Sequence, residues 1–89
     1  MISILKRMFK KKPYTFLGRG GISFYNDEQE FYIDTNNFLG KGYDVEIFYK
    51  DIRPVNNTSV LSDFEKKRLA ILVKKLLASD GIKAEILPI

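Results

Sequence analysis

Hydrophobic and polar positions change their period along this chain, and each change marks an element. The sharpest pattern is LSDFEKKRLAILVKKLLASDGIKAEI, residues 61–86. Leu69, Leu72, Val73, Leu76 and Leu77 recur at helical spacing as one apolar stripe, and Lys66, Lys67, Lys74 and Lys75 fill the other side. Ser62 and Glu65 form a Ser-x-x-Glu capping box that satisfies two backbone N–H groups at the start. Gly81 suits the left-handed position just past the end. The spacing predicts a helix over 62–80. Ile82, Ala84 and Ile86 then alternate with Lys83 and Glu85, so a half-buried strand is expected over 82–87.

Upstream the period is two. Pro13 stops any helix from running on. Tyr14 to Leu17 reads as a short strand, and Gly18-Arg19-Gly20-Gly21 as a tight turn. No Gly-Lys-Ser/Thr follows and no helix opens there, so the phosphate-cradling loop pattern fails, and one Arg-Gly-Gly falls short of RNA-binding arrays. Ile22 to Tyr25 and Phe31 to Asp34 read as strands joined by a polar four-residue loop, Asn26-Asp27-Glu28-Gln29. Asn36-Asn37 and Gly40-Lys41-Gly42 mark a second turn region. In the clearest strand, Tyr43, Val45, Ile47 and Tyr49 alternate with Asp44, Glu46, Phe48 and Lys50, and Asp51-Ile52-Arg53-Pro54 ends it. Residues 55–60 form a polar connector. The expected fold is α+β, in a single domain over 1–89: an antiparallel meander of four to five strands with one long C-terminal helix packed on one face. The meander occupies 14–54, and a short basic helix or arm over 1–12 precedes it.

Composition removes most chemistry. The 89 residues include no cysteine and no histidine, which excludes disulfides, thiolate or imidazole metal sites and Cys/His or Ser/His nucleophiles. No apolar run reaches the ~18–20 residues that cross a bilayer. The net charge of +4 divides unevenly: residues 1–20 hold six bases and no acid, residues 21–51 two bases against seven acids, and residues 52–89 seven bases against four acids. A basic leader, an acidic middle and a mildly basic helix imply different partners. In the leader, Ile2, Ile4, Leu5, Met8 and Phe9 fall largely on one side of a helix, among Lys6, Arg7, Lys10, Lys11 and Lys12. Its apolar run is too short for a signal peptide, and its charges follow that run instead of preceding it. A docked arm with solvated lysines is the plain reading; an anionic membrane surface or nucleic acid is the functional one.

Alternation then sorts the sheet. If Tyr43, Val45, Ile47 and Tyr49 face the helix, Asp44, Glu46 and Phe48 face away, as do Tyr25, Tyr32 and Asp34. The outer face would mix Tyr25, Tyr32 and Phe48 with Asp34, Asp44 and Glu46: rigid contact area beside complementarity to a basic partner. A solvated face, or one covered by residues 1–12, is the plainer alternative. Asp34, Asp44 and Glu46 also bring to mind a divalent-cation nuclease assisted by Lys50, but no Glu-x-Lys pattern places the lysine, and the chain reads as no enzyme. Outer aromatics could stack bases, yet the acids beside them repel phosphate, so nucleic acid is not the expected partner.

The segments GGISFYNDEQEFYIDTNNFLGKGYDVEIFY and LSDFEKKRLAILVKKLLASDGIKAEI together resemble bacterial polymorphic-toxin immunity proteins, and are similar in particular to the small ones encoded beside contact-dependent growth-inhibition toxins. The resemblance spans roughly residues 18–87 and lies in a short hairpin, a Tyr-x-Asp strand, a Gly-Tyr-Asp turn and a capped helix ending in Gly-Ile before a last strand. The lysine-rich leader lies outside it. The resemblance implies a cytoplasmic protein that binds a cognate toxin domain, often a nuclease, and blocks its active site or substrate entry. No cofactor is expected, and a free edge strand beside the 55–60 connector allows a weak homodimer as well as a monomer.

Overall fold

The computed structural model describes residues 12–40, 42–56 and 59–88. Strands β1 (Tyr14–Phe16), β2 (Gly20–Asn26), β3 (Gln29–Asn37) and β4 (Val45–Pro54) pair antiparallel in chain order. Helix α1 (Asp63–Ser79) crosses back over them, and β5 (Ala84–Leu87) closes the far edge of a five-stranded sheet. The α+β class holds. The antiparallel meander fails at its last strand, because β5 lies parallel to β4 with Val45 beside Ala84 and Ile47 beside Ile86. The cause is the helix: seventeen residues at 1.5 Å each retrace about 25 Å of sheet, so the strand that follows starts where β4 starts. The expected N-terminal helix or arm over residues 1–12 lies, except for Lys12, outside the described residues.

One sheet face meets α1. Ile22, Phe24, Phe31, Ile33, Val45, Ile47, Tyr49, Ile52 and Ala84 are buried there with Leu69, Ala70, Val73 and Leu77 of the helix. Leu72 and Leu76 flank this stripe half-buried. Ser62 Oγ accepts the Glu65 N–H at 3.1 Å, the first half of the capping box, while the Glu65 carboxylate takes Arg68 at 3.2 Å. At the other end the Ile82 N–H donates to the Leu77 carbonyl at 2.9 Å, and Gly81 takes φ +79. Asp80 stands here, at the end of a helix that disfavours anions. It is held by the Tyr14 hydroxyl and by Lys12 at 3.1 Å, which ties β1 to the helix terminus. No helix among the described residues is long and apolar enough to cross a membrane.

Three boundaries differ from those expected, each for a local reason. The β2–β3 connection is a two-residue turn, with Asn26 paired to Gln29 and both Asp27 and Glu28 at positive φ, the geometry whose twist matches a hairpin. Asn36 and Asn37 finish β3 instead of turning. Asn37 is buried at 4% exposure because its amide donates to the Gly18 and Gly21 carbonyls while its oxygen accepts from Thr35 Oγ1 at 2.7 Å. β4 starts at Val45 and runs through Pro54, with an irregularity: Ile33 pairs with Ile52, yet Asp34 pairs with Phe48. Residues 49–51 therefore bulge, and the buried positions switch from odd (Val45, Ile47, Tyr49) to even (Ile52, Pro54). Pro54 is tolerated because β5 ends opposite Phe48, which leaves β3 as the only paired neighbour at that point.

Candidate partner-binding face

On the face away from α1, register does most of the positioning. Ser23 lies beside Tyr32, Tyr32 beside Arg53, Asp34 beside Phe48, and Phe48 beside Leu87. Tyr25 lies beside Glu30, and a further row runs Asn36, Glu46, Glu85. Tyr25, Tyr32, Asp34, Glu46 and Phe48 therefore share one continuous patch, and no described helix or strand packs over it.

Asp44 does not join them. It sits in the bend before β4, where its carboxylate accepts the Lys83 N–H at 3.1 Å and its own N–H donates to the Lys83 carbonyl at 2.8 Å. Asp44 latches the start of β5 to the start of β4 and spends its charge there. Tyr43, expected inward, also precedes the strand: its hydroxyl donates to Glu46 Oε2 at 3.1 Å, on the outer side.

The face is held by its own polar bonds. Glu30 accepts from Ser23 Oγ at 2.5 Å and from the Tyr25 hydroxyl at 3.2 Å. Glu46 accepts from Asn36 Nδ2 at 3.1 Å as well as from Tyr43. The Glu30 charge, then the hydrogen bond to it, pushes the Tyr25 phenol up; at Tyr43 the hydrogen bond to Glu46 leads and its charge follows. Both phenols stay protonated donors at neutral pH. The Tyr32 ring lies across Gly21, where a Cβ would come within 2.9 Å of it, and the Arg53 guanidinium sits over the ring at 4.5 Å. Tyr25 is 56% exposed, whereas Tyr32 and Phe48 are half-buried, so the patch is a pinned surface with one projecting ring. Chemically it offers carboxylates and π faces to a cation or a basic protein.

Where the patch meets the C-terminus of α1, an open cleft of about 460 Å³ is lined by Tyr43, Lys74, Ala78, Ile82, Lys83 and Glu85. The solvent side of α1 is basic, with Lys67 paired to Asp63 and Arg68 to Glu65.

Sequence alternation missed Glu30, Arg53, Glu85 and Leu87. Glu30 has the parity of Tyr32 and Asp34, so extending that count by two residues finds it. Arg53 has the wrong parity until the bulge at 49–51 corrects it. Glu85 has the outer parity of the Ile82–Ile86 alternation, and the pairing of Glu46 with Glu85 and Phe48 with Leu87 sets it and Leu87 beside the patch.

No protein-family model, curated protein or solved structure matches the chain.

Proposed function

We propose that this chain is an immunity protein of the contact-dependent growth-inhibition type, which neutralises a cognate secreted toxin domain by covering its active site or substrate entry. The observation that supports the reading is the outer sheet face. It gathers Tyr25, Tyr32, Phe48 and Leu87 with Glu30, Asp34, Glu46 and Glu85, and no described element covers it. A nuclease must carry a positive cleft to hold phosphates, and an acidic, aromatic surface is complementary to that cleft. Charge speeds the encounter, and the aromatics hold the complex once water is excluded. The interaction is non-catalytic, needs no cofactor and takes place in the cytoplasm of the toxin-exposed cell.

The other reading, a nucleic-acid or membrane-surface module, relies on the basic leader, of which only Lys12 and Arg19 are described; Lys12 is engaged by Asp80. The test is co-expression with the cognate toxin domain that the immunity reading places in a neighbouring gene. Wild type restores growth, and Asp34→Lys with Glu46→Lys does not, while neutralising Lys10, Lys11 and Lys12 leaves protection intact. Protection that survives the acid reversals but not the lysine changes contradicts the proposal. Salt-dependent binding of DNA or RNA by the pure protein counts against it as well.

A further inference from the structure

We infer that the Tyr32 ring, with Asp34 beside it, is a cradle for a guanidinium of the partner, and that Arg53 occupies it as an internal stand-in until the partner arrives. This deepens the reading of the outer face as a site for a basic protein, and rests on it.

The platform is fixed before any partner binds. The Tyr32 ring is pinned across Gly21, which adopts φ +96 and leaves no room for a Cβ beneath it. The Tyr32 hydroxyl points to Asp34 Oδ1 at 3.5 Å, a long contact that leaves the carboxylate free to take a better donor. Glu30, two residues away on the same strand face, adds a second carboxylate already oriented by Ser23 and Tyr25. A flat cation that stacks on the ring and reaches a carboxylate in its plane fits this arrangement, and arginine matches it better than the compact ammonium of lysine.

The structure also shows such a cation in place. Arg53 is the cross-strand neighbour of Tyr32, and its guanidinium stacks 4.5 Å from the ring centroid. Arg53 is exposed, so the stacking is weak and displaceable. A partner arginine gains the same ring face and adds a carboxylate bond. Arg53 thus lowers affinity for stray cations and sets a threshold that the cognate partner clears through its other contacts.

The test needs no toxin. The full-length protein is titrated with the tripeptide acetyl-Gly-Arg-Gly-amide and with its citrulline counterpart, which keeps the shape and loses the charge. Binding is read from backbone amide shifts at Tyr32 and Asp34. Removing the competitor with Arg53→Ala is expected to tighten the arginine peptide about two- to five-fold; the citrulline peptide stays weak in both proteins, and adding Tyr32→Leu abolishes the gain. Arg53→Gln, which keeps a side-chain stem over the sheet, serves as the parallel variant should the alanine change loosen the fold. Equal affinity before and after removal of Arg53, equal binding of the citrulline peptide, or shifts confined to Glu46 and Glu85 overturn the cradle. Those results leave toxin binding by the wider face standing, and loss of toxin binding with an intact cradle sinks the other proposal instead.

Discussion

Asp80 illustrates how single residues hold this fold together. A carboxylate at a helix C-terminus is unfavourable on its own, and here the Tyr14 hydrogen bond, then Lys12, holds it below the usual carboxylate range. Burial, followed by the bond to Asp80, pushes the Tyr14 phenol up to about 12. Each shift has a sign. The raised Tyr14 value contributes stability fully present below pH 10.0, lost as pH rises through about 12. The lowered Asp80 value contributes stability present above its ordinary 3.8, lost as pH falls through the depressed value. Tyr14→Phe is therefore expected to lower the melting temperature by a few degrees between about pH 4 and 10, with the gap to wild type shrinking outside that window. A gap that persists unchanged at pH 2 removes the Tyr14–Asp80 pair from the account. Glu28 is the opposite case, a residue placed where its own geometry costs energy. Its φ of +63 carries a penalty of roughly 1–2 kcal/mol for an L residue, and glycine there costs about 0.5–1 kcal/mol in chain entropy. Glu28→Gly should thus stabilise the hairpin by about 0.5 kcal/mol, read as a rise in denaturant midpoint without a change in slope.

At the scale of elements, what was legible in the sequence is what local periodicity alone decides. Ser62, the Leu69–Leu77 stripe and Gly81 define α1 without reference to anything else, and the helix is found where they place it. The outer parity of Tyr25, Tyr32, Asp34, Glu46 and Phe48 was legible for the same reason, since each lies inside an uninterrupted run of period two. Long-range pairing was not legible. The direction of β5 depends on where α1 delivers the chain, the bulge at 49–51 depends on β3, and the burial of Asn37 depends on the Gly18–Gly21 turn. Asp44 was misassigned because alternation counted it into a strand that begins one residue later. The stripe itself is open to test. Leu69→Asp would bury an unpaired charge against β4, which is expected to cost more than about 4 kcal/mol, much of the stability of a chain this size. Lys75→Glu, on the solvent side, should stay within about 0.5 kcal/mol. Thermal melts in which the two variants behave alike contradict the packing of α1 described above.

Among the described residues the molecule is two-sided in charge. The sheet face away from the helix carries Glu30, Asp34, Glu46 and Glu85 against Arg53, and the solvent side of α1 carries Lys66, Lys67, Arg68, Lys74 and Lys75 against Asp63 and Glu65. The net charge of +4 conceals this division. Both sheet edges discourage pairing with another chain: β1 is three residues long and preceded by Pro13, and β5 is four residues long and followed by Pro88. Among the described residues the broad outer face, and not an edge, is the open surface of the sheet. The most direct measurement is the equilibrium affinity for the proposed cognate toxin domain, compared between wild type and Asp34→Lys with Glu46→Lys, both verified as folded. The proposed role of this face predicts a loss of about 100-fold or more for the reversed face, together with a weaker dependence of the association rate on salt. An affinity within about three-fold of wild type would contradict it.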